Sequence, residues 1–253
     1  MDLYSIFLWV MIAVAIVVFI ALYFVDAGYG MFRSSRWGLS INNKVGWVLM
    51  ELPVAVLIFL FWFFSDRKTS LVPFIFLLFL EIHYIHRAFI FPLMMRGKNK
   101  MPVQIMLMAV LFNLLNAFMQ GYWIFYHSPK ELYSNTWIET PCFIIGTVLF
   151  FTGMFININS DRRIRNLRIP GDNKHYLPHG GMFNYVTSAN YFGEIVEWAG
   201  FAVATWSMSG LVFAIWTFAN LVPRANAIYI KYNASYADEI KKKKLRRVIP
   251  FLY

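Results

Sequence analysis

Residues 5–25 read S-I-F-L-W-V-M-I-A-V-A-I-V-V-F-I-A-L-Y-F-V, without one charged side chain. A helix of that length rises about 30 Å, the thickness of a bilayer's hydrocarbon core. Segments at about 45–64, 71–95, 103–126, 140–159, 189–207 and 210–230 are each near the roughly 20 residues that a span requires. Of the 253 residues 59% are hydrophobic and only 14% charged, too little charge to cover a soluble surface. The sequence therefore predicts an all-α integral membrane protein with seven transmembrane helices. Only short loops lie between the spans, so residues 1–253 are expected to form a single domain.

Asp2 stands where a signal peptide would carry basic residues, and no small-residue cleavage site follows the first apolar run. That run is read as a retained first helix. Cys142 is the single cysteine, which excludes internal disulfides and thiolate metal clusters.

Charge placement gives the orientation. With the N-terminus outside, the inner loops hold Arg33, Arg36 and Lys44, then Arg96, Lys98 and Lys100, then Arg162, Arg163, Arg165, Arg168 and Lys174. The inner C-terminal tail adds Lys231, Lys241 to Lys244, Arg246 and Arg247, whereas the outer loops keep Arg67, Lys68 and Lys130. This asymmetry obeys the positive-inside rule and puts the C-terminus in the cytosol. It also accounts for most of the net charge of +10, so nucleic acid is not expected as a partner. No obligate protein partner is evident either.

Polar residues in spans mark a site by default, because lipid-facing chain cannot carry them cheaply. The ionisable ones here are Glu51, Glu81, His83, His86, Arg87, Glu194, Glu197 and Arg224. With a rise of about 1.5 Å per residue, most fall in the cytosolic half of the bilayer. Asn157 and Asp161 at the end of the fifth span, and Tyr232 after the seventh, join them there. Asn190, Glu194 and Glu197 recur at i, i+4 and i+7 and share one helix face. Asp161, Arg165 and Arg168 do so too if their helix continues past Ser160. This convergence points to a single cavity opening to the cytosolic side, and a plainer reading stands beside it: these groups pair with each other between packed helices.

The chemistry narrows further. Arg165 and Arg168, one turn apart, suit bidentate contact with a phosphorylated ligand, although some of these arginines can equally anchor lipid phosphates. There is no glycine-rich dinucleotide fingerprint and no P-loop. The five histidines are too few for a di-iron histidine box, so no metal is expected. Glu51, the only charged residue of the second span, sits where a neutral acid is favoured. A neutral carboxylic acid and Tyr84 are two hydrogen-bond donors able to stabilise an enolate oxygen. Simple pairing of Glu51 with a neighbouring Arg or His is the alternative.

Ordered motifs carry a family likeness: E-L-P at 51–53, H-Y-I-H-R at 83–87, Q-G-Y at 120–122 and G-M-F-I-N-I-N-S-D at 153–161. They continue with R-x-x-R-x-P-G at 165–171, Y-V-T-S-A-N-Y-F-G-E-I-V-E-W at 185–198, A-T-W-S at 204–207 and I-P-F-L-Y at 249–253. In this order the chain resembles the steroid 5α-reductase family, most closely its testosterone-reducing type. The resemblance implies seven membrane helices and NADPH in the cytosolic half, with hydride passing to C5 of a 3-oxo-Δ4 steroid. It implies that Glu51 and Tyr84 polarise the C3 carbonyl. It implies a cofactor set of Lys98, Asn157, Asp161, Arg165, Arg168, His175, Asn190, Glu194, Glu197 and Tyr232. Met50, Phe91, Tyr176 and Ile228 depart from the family pattern, where Gln, Tyr, Arg and His respectively are expected.

Other functions fit the same scaffold. Reduction of an enoyl-CoA or a polyprenol-like lipid is one, S-adenosylmethionine-dependent methyl transfer is another, and sterol binding without catalysis is a third. The membrane would be the endoplasmic reticulum or a bacterial inner membrane, according to the host.

Overall fold

The computed structural model describes residues 2–25, 28, 30–32, 35–96, 99–167 and 175–253. Its main helices are α1 (Leu3–Ala21), α2 (Asn43–Phe63), α3 (Leu71–Ile85), α4 (Val103–Tyr122), α5 (Pro141–Asn166), α6 (Ala189–Thr205) and α7 (Met208–Lys243). A π-turn, His86–Ile90, and a further turn, Phe91–Met94, prolong α3; a π-turn, Trp123–His127, prolongs α4. Side chains define two of the starts. The Asp2 carboxylate accepts from Ser5 N at 2.7 Å, and Asn42 Oδ1 accepts from Lys44 N at 2.9 Å, each occupying an N–H that the helix leaves over.

Six helices, counted among the described residues, are long and apolar enough to cross a membrane: α1, α2, α3 through Met94, α4 through His127, α5 and α7. Their outward faces agree. Trp9, Val10, Ile16, Val17 and Ile20 of α1, and Ile144, Ile145, Val148, Phe151 and Phe155 of α5, are exposed. Such continuous apolar faces belong against lipid. The chain is an all-α, multi-pass membrane protein.

Three elements differ from the hydropathy reading. The segment expected at 189–207 forms a helix of 17 residues, about 25 Å long and shorter than a typical hydrocarbon core. Trp206, at φ 46°, ends it, and bonded hydroxyls of Thr205, Ser207 and Ser209 fill the turn. α5 runs on to Asn166 rather than stopping near 159, since nothing from Ser160 to Asn166 breaks a helix. A small antiparallel ribbon pairs β1 (Ser40–Asn42) with β2 (Lys100–Pro102), three-residue strands too short for periodicity to reveal.

Contacts divide the chain into two compact units, one of residues 1–27, 146–202 and 211–253, the other of 28–145 and 203–210. In the first, glycines let α5 and α6 meet backbone to backbone. A Cβ added at Gly153 would stand 2.2 Å from Glu197 N, one at Gly193 2.4 Å from Asn157 N, and one at Gly200 2.4 Å from Phe150 N. Rising numbers on α5 meet falling numbers on α6, so the pair is antiparallel. Small residues are how membrane helices approach this closely. Trp198, 1% exposed, then packs against Phe150, Phe201 and Phe213, with the Phe213 ring centroid 4.4 Å away.

Residues just before α6 are braced from far along the chain. Thr187 N donates to Arg246 O at 2.9 Å, Ser188 N to Arg247 O at 3.1 Å, and Arg246 N to Tyr185 O at 2.8 Å. Arg247 is held in turn: its Nε donates to Asn226 Oδ1 at 2.7 Å, and its guanidinium lies 4.8 Å from the rings of both Tyr229 and Tyr253.

In the second unit α2 packs along α3 and α4. Gly121 of α4 admits the Phe61 ring, which a Cβ would approach to 2.6 Å. Buried Arg67, in the α2–α3 loop, donates to Ile124 O at 2.9 Å and to both oxygens of Ser128. It thereby satisfies carbonyls that the end of the α4 π-turn leaves over. Burial pulls the guanidinium pKa below its usual value, with Tyr133 and Glu131 opposing the shift.

The glycine contact makes a direct prediction. Gly153→Val places a branched side chain against the Glu197 backbone, so α5 and α6 must separate. Overpacking of this kind costs about 1–3 kcal/mol or more. A clearly lower melting temperature in detergent is expected, whereas Val148→Leu, on the exposed face of the same helix, should leave it unchanged.

Candidate active site

In the first unit, the end of α5 and the start of α6 bring four of the expected residues together. Asn157 Nδ2 donates to Asn190 O at 3.0 Å and to Glu194 Oε2 at 3.3 Å. Asn190 Nδ2 donates to Asp161 Oδ1 at 3.1 Å. The spacing explains the cluster: Asn157 and Asp161 are one turn apart on α5, Asn190 and Glu194 one turn apart on α6, and the glycines set the two faces in contact. Asn157 is 3% exposed and Asp161 8%. Such buried polar groups are tolerated because each finds a partner of opposite hydrogen-bonding sense.

Glu197 lies further along the same face, fully buried beside Gly153. Tyr232 is buried on α7, with the Tyr236 ring 6.3 Å away. Arg165 is part-buried in the last turn of α5, one turn beyond Asp161, and His175 is part-buried in an irregular segment. Lys98 and Arg168 lie outside the described residues.

Glu51 and Tyr84 belong to the second unit. Glu51 is part-buried on α2, and Tyr84 is 3% exposed near the end of α3. Both are bonded to the same face of α4. Asn113 Nδ2 donates to Met50 O at 2.6 Å and to Glu51 Oε2 at 3.2 Å. Asn116 Nδ2 donates to the Tyr84 hydroxyl at 2.8 Å. Gln120 Nε2 donates to Asn116 Oδ1 at 3.3 Å and to Ser209 O at 3.0 Å. Asn113, Asn116 and Gln120 recur at i, i+3 and i+7, one helical face, and are 6%, 0% and 0% exposed.

Reading the ionisable residues alone passes over these three amides. The sequence does carry their signal: they are amides at helical spacing inside an apolar span, where every polar side chain needs a reason.

Two of the departing residues have clear surroundings. Met50 supplies the carbonyl that anchors Asn113. Phe91 lies 4.9 Å from Trp47, edge to face, and the Arg87 guanidinium sits over both rings at 4.7 and 4.5 Å. An aromatic there serves the arginine without needing a hydroxyl. Tyr176 and Ile228 are both part-buried.

Comparison with known proteins adds an independent line. A family model described as 3-oxo-5-alpha-steroid 4-dehydrogenase matches residues 99–253. The Mus musculus protein named 3-oxo-5-alpha-steroid 4-dehydrogenase 1 is 38% identical, over 94% of this chain and 92% of its own. The Homo sapiens protein of that name is 40% identical, over 89% and 86%. Steroid 5-alpha-reductase DET2 of Arabidopsis thaliana is 38% identical, over 92% and 90%.

The buried cluster of the first unit yields a stability prediction. Asn157→Leu leaves the Asn190 carbonyl and a Glu194 carboxylate oxygen against an apolar side chain. Losing bonds of this kind costs about 1–3 kcal/mol. Arg163→Ala removes only a part-buried bond to Asn159 and a longer one to His179 O, and should cost under about 1 kcal/mol. Denaturation of the purified variants in detergent ranks the two; the reverse order would contradict the cluster's role.

Proposed function

The chain belongs to the 3-oxo-5-alpha-steroid 4-dehydrogenase family and is an oxidoreductase acting on a CH–CH group, and on that premise we propose that it reduces the C4–C5 double bond of 3-oxo-Δ4 steroids with NADPH. The observation that carries the reading is the pairing in the second unit: a carboxyl group on α2 and a phenol on α3, both bonded to amides of one α4 face. That places two acidic hydrogen-bonding groups in an apolar setting, which reduction of a conjugated ketone requires.

In the proposed reaction Glu51 and Tyr84 donate hydrogen bonds to the C3 carbonyl oxygen. NADPH, when bound, supplies the hydride that adds to C5. As the C5–H bond forms, the C4–C5 π electrons move toward C3 and charge gathers on the oxygen that Glu51 and Tyr84 hold. C4 then takes a proton from solvent, so the steroid gains two hydrogens, one as hydride and one as this proton. Donors positioned for the developing oxyanion lower the barrier because they need not reorganise during the step. The low-dielectric surroundings strengthen those bonds.

The residues of the first unit fit the cofactor. Asn157, Asp161, Asn190 and Glu194 combine amides and carboxylates, the donor–acceptor mixture that ribose hydroxyls and a carboxamide call for. Arg165, at the end of α5, adds positive charge suited to phosphate. Arg168, His175, Glu197 and Tyr232 complete the proposed set of this unit, and Lys98 is the further basic residue proposed for the adenosine phosphate. The arrangement is proposed as a single domain of seven membrane helices, α6 being the seventh, with the N-terminus outside and the cofactor residues on the cytosolic side. The membrane is that of the endoplasmic reticulum or a bacterial inner membrane, according to host.

Incubation of the purified protein with NADPH and testosterone, progesterone or androstenedione tests the activity by mass spectrometry. A gain of two hydrogens in ring A is expected. No turnover, together with methyl transfer from S-adenosylmethionine, would sink the proposal. Glu51→Gln and Tyr84→Phe should each lower kcat by about a hundredfold, the scale for losing one oxyanion donor, with NADPH binding retained. Arg168→Ala should weaken NADPH more than NADH.

A further inference from the structure

The amide face of α4 has a direction built into it. Ser209 O is a backbone carbonyl and can only accept, so Gln120 meets it through Nε2. The second hydrogen of that nitrogen goes to Asn116 Oδ1. This settles which end of the Asn116 amide is the oxygen, and its Nδ2 then donates to the Tyr84 hydroxyl. Asn113 is locked in the same manner, because Met50 O also can only accept, and the same Nδ2 then donates to Glu51. Backbone carbonyls on two other helices thus fix three side-chain amides, and the bond that reaches each acid is donated by an amide.

A phenol has one hydrogen. With Asn116 donating to its oxygen, Tyr84 turns that hydrogen toward some other acceptor. In the neutral form proposed for it, Glu51, whose Oε2 takes a bond from Asn113, carries its proton on Oε1. We propose that Asn113, Asn116 and Gln120 are positioning residues that present Glu51 and Tyr84 to the steroid as donors. This rests on the reading of Glu51 and Tyr84 given above. Bonds in series polarise one another, so a phenol that accepts from Asn116 donates more strongly. Amide hydrogens are not released near neutral pH, so the face orients the two acids and carries no proton to them.

A merely structural network would use the same atoms, and three features distinguish it from an orienting one. Among the described residues, the chain of amides ends on the two proposed acids and on no other side chain. The acids lie on separate helices, α2 and α3, so one rigid face of α4 sets both. Asn113 and Gln120 are anchored by main chain, which cannot rotate as a side-chain partner would, and Asn116 is held through Gln120.

A double-mutant cycle on the full-length protein in detergent tests the proposal, with testosterone and NADPH as probes. Asn116→Leu and Gln120→Met should each lower kcat about tenfold, with KM and the NADPH dissociation constant within about twofold of the parent. Placed on Tyr84→Phe, which has no hydroxyl to orient, the same changes should cost less than about twofold. Equal losses in the parent and in the Tyr84→Phe variant would overturn the orienting role and leave a structural one. Gln120→Met acts one residue removed from Tyr84 and decides the same question if Asn116→Leu does not fold. Full activity in Tyr84→Phe is a separate outcome: it would refute Tyr84 as a donor, and the orienting role with it.

Discussion

Backbone-to-backbone contact between α5 and α6 is the constraint on which the first unit depends. Gly153, Gly193 and Gly200 carry nothing that would hold the two helices at the usual side-chain distance. Helices normally pack about 8–10 Å apart, and larger residues at the crossing keep them there. At the closer approach, short side chains reach across. Asn157 touches both a carbonyl and a carboxylate of α6, and Asn190 touches Asp161 of α5. The close approach brings a main-chain carbonyl and a carboxylate of α6 within reach of one short amide. Removing side chains from three positions thus lets four others bond.

The second unit meets the problem of polar groups in an apolar interior differently. Here the polar side chains are longer or stacked in series. Arg67 serves carbonyls at one end of α4, while Asn113, Asn116 and Gln120 line its buried face. Main-chain carbonyls are the usual terminus in both places. They are fixed in position and accept only, so they specify orientation as well as satisfying a donor. Interhelical bonds of this type contribute modestly to stability in membranes, about 0.6–2 kcal/mol each. Their larger effect is on which rotamer a side chain adopts and which way its amide faces.

Much of this is legible in the sequence and some is not, for definable reasons. Helices such as α1 and α2 announce themselves because an uninterrupted apolar run of their length has few other solutions. The i, i+4 spacing of Asn190 and Glu194 predicts their common face, and ordered motifs from Glu51 to Tyr253 point to the family. The glycines are not legible as a contact, because a helical glycine reveals its use only when the facing helix is known. Asn113, Asn116 and Gln120 escape a reading guided by charge, which ignores neutral amides, although their spacing is as regular. The β1–β2 ribbon and the pairing before α6 depend on residues distant in sequence, to which local periodicity is blind. The short α6 reflects a left-handed Trp206, which hydropathy does not register.

The brace ahead of α6 has a consequence in time. Thr187 and Arg247 are separated by 60 residues, so at about 5–20 residues per second the ribosome needs roughly 3–12 s to deliver the second after the first. The glycines of α5, by contrast, are already made when α6 emerges. During synthesis the face of α5 that receives α6 is therefore in place before α6 emerges, whereas the brace cannot form until α7 has followed. For that interval Asn157 and Asp161, the partners of the polar first turn of α6, are available, and the main-chain bonds of the brace are not. The proposed cofactor residues are thus synthesised before the segment that braces them.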